Sequence, residues 1–187
     1  MTIIKILGPS GAGKTSAVRE LFVEADKWEK AGGSPKKPDA YALRFAAYPS
    51  KNVYVIGSYE SNCGGVDTID SSQKVMDLVD TYSALGDHVI FEGLLQSTYY
   101  GKMGEWSQKY GQNFIYAWLN TPLEVCMARL QKRREENGTK RPLNIPQAEA
   151  KWASVYVAFS KARDRGHRCE ILQWDGEIAP QIQGWLK

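Results

Sequence analysis

Histidine is nearly absent from this chain and cysteine is scarce, with 2 of the first and 3 of the second in 187 residues. Cys63, Cys126 and Cys169 are an odd number without metal-ligand spacing. That argues against a disulfide framework or a zinc site and fits thiols kept reduced in a cytosol, each serving as a small apolar side chain. His88 and His167 stand alone, with no Cys or carboxylate at ligand spacing, and read as core or surface residues. No apolar run approaches the roughly 20 residues of a membrane span. The N-terminus carries one Lys and a short apolar run ending in a glycine-rich loop, unlike a signal peptide. A cytoplasmic protein without a membrane partner is expected, and nothing in the chain specifies an oligomeric state. A large charge of one sign is missing too: the net charge of +3 is too small to argue for nucleic acid by itself, although a pI near 8.7 leans that way. There is no internal repeat and no long linker, and a hydrophobic share of 43% with 24% charged suits one compact domain over residues 1–187.

What is present alternates strand with helix. Thr2 to Leu7 is apolar and β-branched, Gly8 to Gly13 supplies turn chemistry, and from Lys14 apolar residues recur at helical spacing. Lys30 to Asp39 reads as a mobile loop. Tyr41 to Tyr48 and Asn52 to Tyr59 form a candidate hairpin around Pro49-Ser50. Ser71 to Leu85 is helical in pattern with Ser71 or Ser72 as cap, and His88 to Phe91 is a short buried strand ended by Glu92-Gly93. Phe114 to Leu119 is another, followed by Asn120-Thr121-Pro122 as a cap and a helix from Leu123 to about Glu136. Ala148 to Ala162 is helical, and Arg168 to Trp174 closes with a strand. This order predicts an α/β fold, a three-layer sandwich around a mostly parallel central sheet, with ligands at the carboxyl ends of the strands.

Gly8-Pro9-Ser10-Gly11-Ala12-Gly13-Lys14-Thr15 matches G-x-x-x-x-G-K-[ST] and lies between the first strand and the first helix, the context that confirms a phosphate-binding P-loop. Its glycines let successive N–H groups of Gly8, Ser10, Gly11, Ala12 and Gly13 curl toward phosphate, and the helix N-terminus through Ser16 adds partial positive charge. Lys14 spans the β- and γ-phosphates and Thr15 offers a hydroxyl to Mg²⁺. The Asp-x-x-Gly and Asn-Lys-x-Asp strings of a GTP switch do not occur. Where a motor ATPase would place Asp-Glu, the chain has Phe91-Glu92-Gly93, a single carboxylate as in small kinases.

Phosphoryl transfer from ATP asks for positioning, charge neutralisation and a group that takes the acceptor's proton. Glu92, where a strand emerges toward the P-loop, can hold Mg²⁺ or orient the acceptor; the alternative is a surface carboxylate at a strand end. Gly64-Gly65 permits close approach to a ligand, and Asp67 just after it is the candidate general base, or else a turn or cap Asp. Tyr59 either stacks on a base or packs in the core, and Tyr99 is a candidate for lining the acceptor pocket. Arg129 and Arg133, four apart on one helix face, are candidates for closing over ATP and stabilising the transition state. Lys132, Arg134, Lys140 and Arg141 extend this basic cluster across a lid at about residues 129–147, unless it is simply a solvated face.

The P-loop, the Phe91-Glu92-Gly93 strand end and the run Leu119 to Arg133 resemble the nucleoside and nucleotide kinase branch of P-loop proteins, which implies ATP and Mg²⁺ as cofactors. More narrowly, Cys63-Gly64-Gly65-Val66-Asp67-Thr68 with Phe91-Glu92-Gly93-Leu94-Leu95 and Tyr100-Gly101 is similar to bacteriophage 5-hydroxymethyluracil DNA kinases. That resemblance implies phosphorylation of the base hydroxymethyl group in phage DNA, a step of thymidine hypermodification, with DNA carrying the modified pyrimidine as partner. Thymidylate kinases carry Asp-Arg where Glu92-Gly93 stands, a departure that speaks against a nucleoside monophosphate acceptor. A flipped base also needs cations and aromatic surface near the pocket, and Lys36, Lys37, Arg44, the lid arginines, the run Lys161 to Arg168 and Tyr48, Tyr54, Tyr59 and Tyr99 could supply them. A free nucleoside or nucleotide acceptor, and a P-loop ATPase or binding module without kinase activity, are the alternatives.

Overall fold

A computed structural model describes residues 1–61, 64–93 and 100–186, with backbone alone at 100–103. Its frame is a seven-stranded sheet. The first strand, β1 (Ile3–Leu7), is flanked in parallel by β5 (His88–Glu92) and β6 (Phe114–Leu119). All sixteen residues of these three strands are buried, which is why they read as continuous apolar runs rather than alternating ones. Beyond β5 lies β4 (Val53–Ile56), and beyond β6 lies β7 (Cys169–Leu172), both parallel to their neighbours. The far edge is antiparallel: β3 (Ala40–Arg44) pairs with β4, and β2 (Lys27–Ala31) with β3, giving the order β2-β3-β4-β5-β1-β6-β7.

Among the described residues six α-helices dress this sheet. One face packs α1 (Lys14–Glu24) and α6 (Ile178–Gly184), through Ala17, Val18, Leu21, Ile178 and Ile182. The other packs α2 (Ser72–Ala84), α3 (Tyr100–Tyr110) and α5 (Ile145–Asp164), through Val75, Val79, Trp106, Val155 and Phe159. The sixth, α4 (Leu123–Glu136), buries only Cys126 and Leu130 and lies against the loop after β1. The sandwich with a mostly parallel centre is thus the observed architecture, and no helix among the described residues is long and apolar enough to cross a membrane.

Several local expectations need correction. The segment Lys30 to Asp39 is no free loop: Lys30 and Ala31 end β2, and Ser34 and Lys37 exchange backbone hydrogen bonds of 3.1 and 3.0 Å in a tight turn. β2 escaped the sequence reading because an edge strand with Lys27, Glu29 and Lys30 shows no apolar alternation; such charges are how edges avoid pairing with other chains. The β3–β4 hairpin exists, but its strands stop short at Arg44 and Val53, since Tyr48 and Lys51 amides turn back onto Phe45 and Tyr48. Asn120-Thr121-Pro122 does not cap α4 with a side chain; Pro122 occupies the cap, and the other two side chains are engaged elsewhere. α5 begins three residues earlier than expected, where Asn144 accepts a hydrogen bond from the Gln147 amide and Pro146 sits in the first turn. The sequence reading assigned no helix to α6; its first amides, at Ile178 and Ala179, are held by the Glu20 carboxylate of α1 at 3.0 and 3.3 Å.

Candidate active site

β1 delivers the chain to the P-loop at the carboxyl edge of the sheet centre. Gly11 and Gly13 take the left-handed conformation (φ 82° and 99°), which only glycine adopts without strain. Space is as tight as conformation: a Cβ on Gly11 would lie 2.5 Å from the Cys126 carbonyl, and one on Gly13 would lie 3.2 Å from Arg129 Nη1. Two groups fasten the loop from α4 and the strand before it. Thr121 Oγ1 donates to the Ala12 carbonyl at 2.8 Å, and Arg129 Nη1 donates to the same oxygen at 3.0 Å. Trp152 of α5 donates in turn to the Thr121 carbonyl at 3.2 Å.

The loop opens into a cavity of about 400 Å³. On one side stand Ser10, Gly11, Gly13, Lys14, Thr15 and Ser16; on the other stand Gly64, Asp67, Thr68 and Glu92; Arg129 and Arg133 close it from α4. Of the residues expected to cradle phosphate, Gly8 and Ala12 do not line this cavity. Ala12 is 2% exposed, and Gly8 makes room for the Ala12 and Lys14 side chains.

Glu92 is not a surface carboxylate. It ends β5, is 2% exposed, and accepts a hydrogen bond from Thr15 Oγ1 at 2.9 Å. Burial raises its carboxyl above the ordinary range, opposed by the Lys14 ammonium and the Thr15 hydroxyl and reinforced by Asp67. Lys14 is 8% exposed, and its ammonium donates to the Pro9 carbonyl at 3.2 Å. Its pKa is lowered by burial, while Glu92 and Asp67 pull it back toward the charged form. Asp67 does not cap α2; it lies in a short 3-10 turn, Val66–Thr68, and the α2 cap is Ser71, whose Oγ accepts from the Lys74 amide at 3.1 Å.

The segment bearing Asp67 is locked against β5. Gly57 would clash with Gly65 if it had a Cβ (2.2 Å), and Gly65 would clash with Glu92 Oε1 (2.6 Å). Thr68 Oγ1, unremarked as a site residue in the sequence, bridges the Gly65 carbonyl and the Ser58 amide at 2.7 and 2.9 Å. Arg19 of α1, also not singled out, donates to the backbone carbonyls of Tyr59 and Ser61.

Tyr59 takes the second of its two readings, the core, and the stacking one is corrected: the residue is 9% exposed, packs against Phe22 and Tyr41, and does not line the cavity. Burial pushes its phenol well above the ordinary range. Tyr99 and Cys63 lie outside the described residues. Trp174 was not foreseen; its ring sits 5.5 Å from the Arg129 guanidinium, a flat cation beside an indole at the edge of the phosphate site. His88 is a core residue, its pKa lowered to about 4 by burial. No group of three or more His, Cys, Asp or Glu gathers to hold a metal among the described residues.

A glycine loop with Lys and Thr at the end of the central parallel strand, a buried carboxylate on the neighbouring strand and arginines on the covering helix define a P-loop kinase. Within that class the family model for 5-hmdU DNA kinase matches residues 8–159, and the chain belongs to this family. The 5-hmdU DNA kinase of Pseudomonas phage PaMx11 is 34% identical over 161 residues, covering 85% of this chain and 84% of that one. That of Pseudomonas phage M6 is 30% identical over 182 residues, covering 94% and 92%. A gluconokinase structure from Sinorhizobium meliloti 1021 aligns over 99% of this chain and 89% of that one, with 10% identity and a TM-score of 0.44.

Proposed function

We propose that the chain transfers the γ-phosphoryl group of ATP to the hydroxymethyl oxygen of 5-hydroxymethyluracil in DNA, acting in the host cytoplasm as one kinase unit over residues 1–187. The observation that carries the chemistry is the shared cavity, in which Lys14, Thr15, Arg129 and Arg133 face Asp67 and Glu92 across a space large enough for a phosphoryl group and an acceptor. The acceptor rests on family membership and on the names of the relatives.

The P-loop amides and Lys14 hold the β- and γ-phosphates, and Arg129 and Arg133 neutralise charge as it spreads over the transferring group. Asp67, beside Gly64 and Gly65, takes the proton of the hydroxymethyl group as its oxygen bonds to phosphorus and the bond to the ADP oxygen breaks. Thr15 and Glu92 fit Mg²⁺, since a hydroxyl and a buried carboxylate 2.9 Å apart are the hard oxygen donors this ion takes. When bound there it would offset phosphate charge and leave Asp67, rather than Glu92, free to act as base. The region of about 129–147, from the second half of α4 to the start of α5, works as the lid.

The test offers labelled ATP with hydroxymethyluracil-containing DNA, ordinary DNA, or free nucleosides and nucleotides. Label is expected in the modified DNA alone. Label only in free nucleosides or nucleotides would overturn the DNA acceptor, and ATP binding without transfer to any of them would overturn the kinase reading.

A further inference from the structure

A second cavity, of about 380 Å³, opens on the neighbouring face of α4. Helical periodicity separates the two: Arg129 and Arg133 face the phosphate cavity, whereas Leu130 and Arg134, one position further on, face the second. Ser10, at the tip of the P-loop, lines both, so the cavities adjoin across a single residue. Arg141 and Leu143 from the connecting segment and Lys151 from α5 complete its charged and apolar walls, and among the described residues no acidic one lines it.

Several basic residues elsewhere on the molecule are already neutralised by carboxylates. Lys30, Lys37 and Lys74 are each spoken for, by Glu60, Asp70 and Asp39 at 2.9, 2.9 and 2.7 Å, and Arg168 by Glu170 at 3.2 Å. Arg141 and Lys151 make no ion pair among the described residues. The Arg134 guanidinium donates to the Arg141 and Pro142 carbonyls, which pins the connecting segment along the cavity. The first turn of α5 also faces it, through Gln147 and Ala148, and adds the positive end of a 20-residue helix.

We propose that this cavity holds the sugar–phosphate backbone of the acceptor DNA next to the target nucleotide, so that the base enters the phosphate cavity past Ser10. The inference rests on the DNA reading of the acceptor and gives that reading a place on the molecule. Cations interleaved with Leu130, Pro142 and Leu143 match a strand that alternates phosphate with deoxyribose; a bare phosphate would leave the apolar wall without a partner. A base taken out of a helix needs its flanking backbone gripped close to the pocket, and the shared Ser10 provides that proximity.

The experiment compares wild type with the double variant Arg141→Gln/Lys151→Gln on a hydroxymethyluracil-containing oligonucleotide at several salt concentrations. Both side chains are exposed, so the fold is retained, as an unchanged melting temperature would verify. KM for the oligonucleotide is expected to rise about tenfold, and the slope of log(kcat/KM) against log salt to flatten by about 1 to 2, the loss of one or two phosphate contacts. KM for the oligonucleotide should rise more than KM for ATP, and the charge-preserving Arg141→Lys/Lys151→Arg should keep the wild-type salt slope. An unchanged oligonucleotide KM and salt slope overturns the inference, and so does a rise confined to the KM for ATP, which would give the cavity to the nucleotide. Wild-type enzyme that phosphorylates free nucleosides but no DNA overturns the acceptor reading itself, whereas wild-type DNA activity with an insensitive double variant removes only the second cavity.

Discussion

Gly93 and Asp67 share one space: a Cβ on Gly93 would stand 2.9 Å from Asp67 Oδ1 and 2.6 Å from Val66 Cγ2. Backbone conformation is not the constraint, because Gly93 is not among the glycines with positive φ. The bare position after Glu92 is what lets an Asp from another loop stand beside the cavity. Gly93→Ala should therefore push Asp67 aside and lower kcat by about ten- to a hundredfold, the scale of an ångström's misplacement, with KM for ATP held within about twofold. Steady-state kinetics checks this, and an unchanged kcat would detach Asp67 from the reaction.

Lys14 illustrates a side chain kept against the interest of the fold. Its ammonium is buried and its pKa lowered by that burial. Lys14→Ala should cut turnover by at least about a thousandfold, as expected when a preorganised charge at a phosphoryl site is lost. Its melting temperature should stay level or rise, as is common when a strained functional group is removed. Loss of activity together with a lower melting temperature would point to a structural role instead.

For Glu92 the sign of the pH effect is fixed by the direction of its shift. Burial raises its pKa, so the working carboxylate forms only as pH climbs through a value above the ordinary 4.5, and kcat/KM should fall on the acid side of that value. In Glu92→Gln that acid limb should vanish, with the rate at pH 7 down about a hundredfold and a greater Mg²⁺ requirement. The same shift means the native state holds the proton more tightly than the unfolded chain, so ionising Glu92 weakens the fold as pH rises through the window between the two values. Denaturant titration of Glu92→Gln at neutral pH should accordingly show equal or greater stability. An acid limb preserved in the variant would belong to another group.

Lys5 sits on β1 between Phe91 and Tyr116, 1% exposed, with no ion-pair partner among the described residues. Burial alone holds its pKa well below the usual lysine range. Between that lowered value and the unfolded value near 10.4 the unfolded chain binds the extra proton, so stability rises with pH, by at most about 1.4 kcal/mol per pH unit. Lys5→Met should abolish that part of the slope and raise stability at pH 7, because it removes an ammonium whose charged form burial disfavours. Urea melts at several pH values measure both, and an unaltered slope would mean the ammonium finds compensation in the native state.

Much of this was readable in the chain because local rules and tertiary demand agreed. The phosphate loop was legible since its glycines answer to positive φ and to the Cys126 carbonyl, constraints that leave a residue pattern. Glu92 and Asp67 could be singled out from strand ends and a glycine pair, yet their placement on one cavity could not, because it depends on an absent side chain at position 93. Tyr59 stayed open between base stacking and the core for a related reason: its backbone follows the site loop while its ring turns into the Phe22 and Tyr41 cluster, and period alone does not report which way a residue points after Gly57 breaks the strand. α6 and the Arg19 contacts were invisible since their partners are distant in sequence and carry no motif.

Arg19 projects from the helix that begins at the P-loop and grips the carbonyls of Tyr59 and Ser61, while the Gly65 backbone rests on Glu92. The P-loop side and the Asp67 side of the cavity are thereby one casting, unable to part without breaking those bonds. Any clamping stroke during turnover must come from the opposite jaw beyond Arg129, which is itself tied to the Ala12 carbonyl, and a spectroscopic label at the far end of that helix would register a travel that one near Asp67 would not.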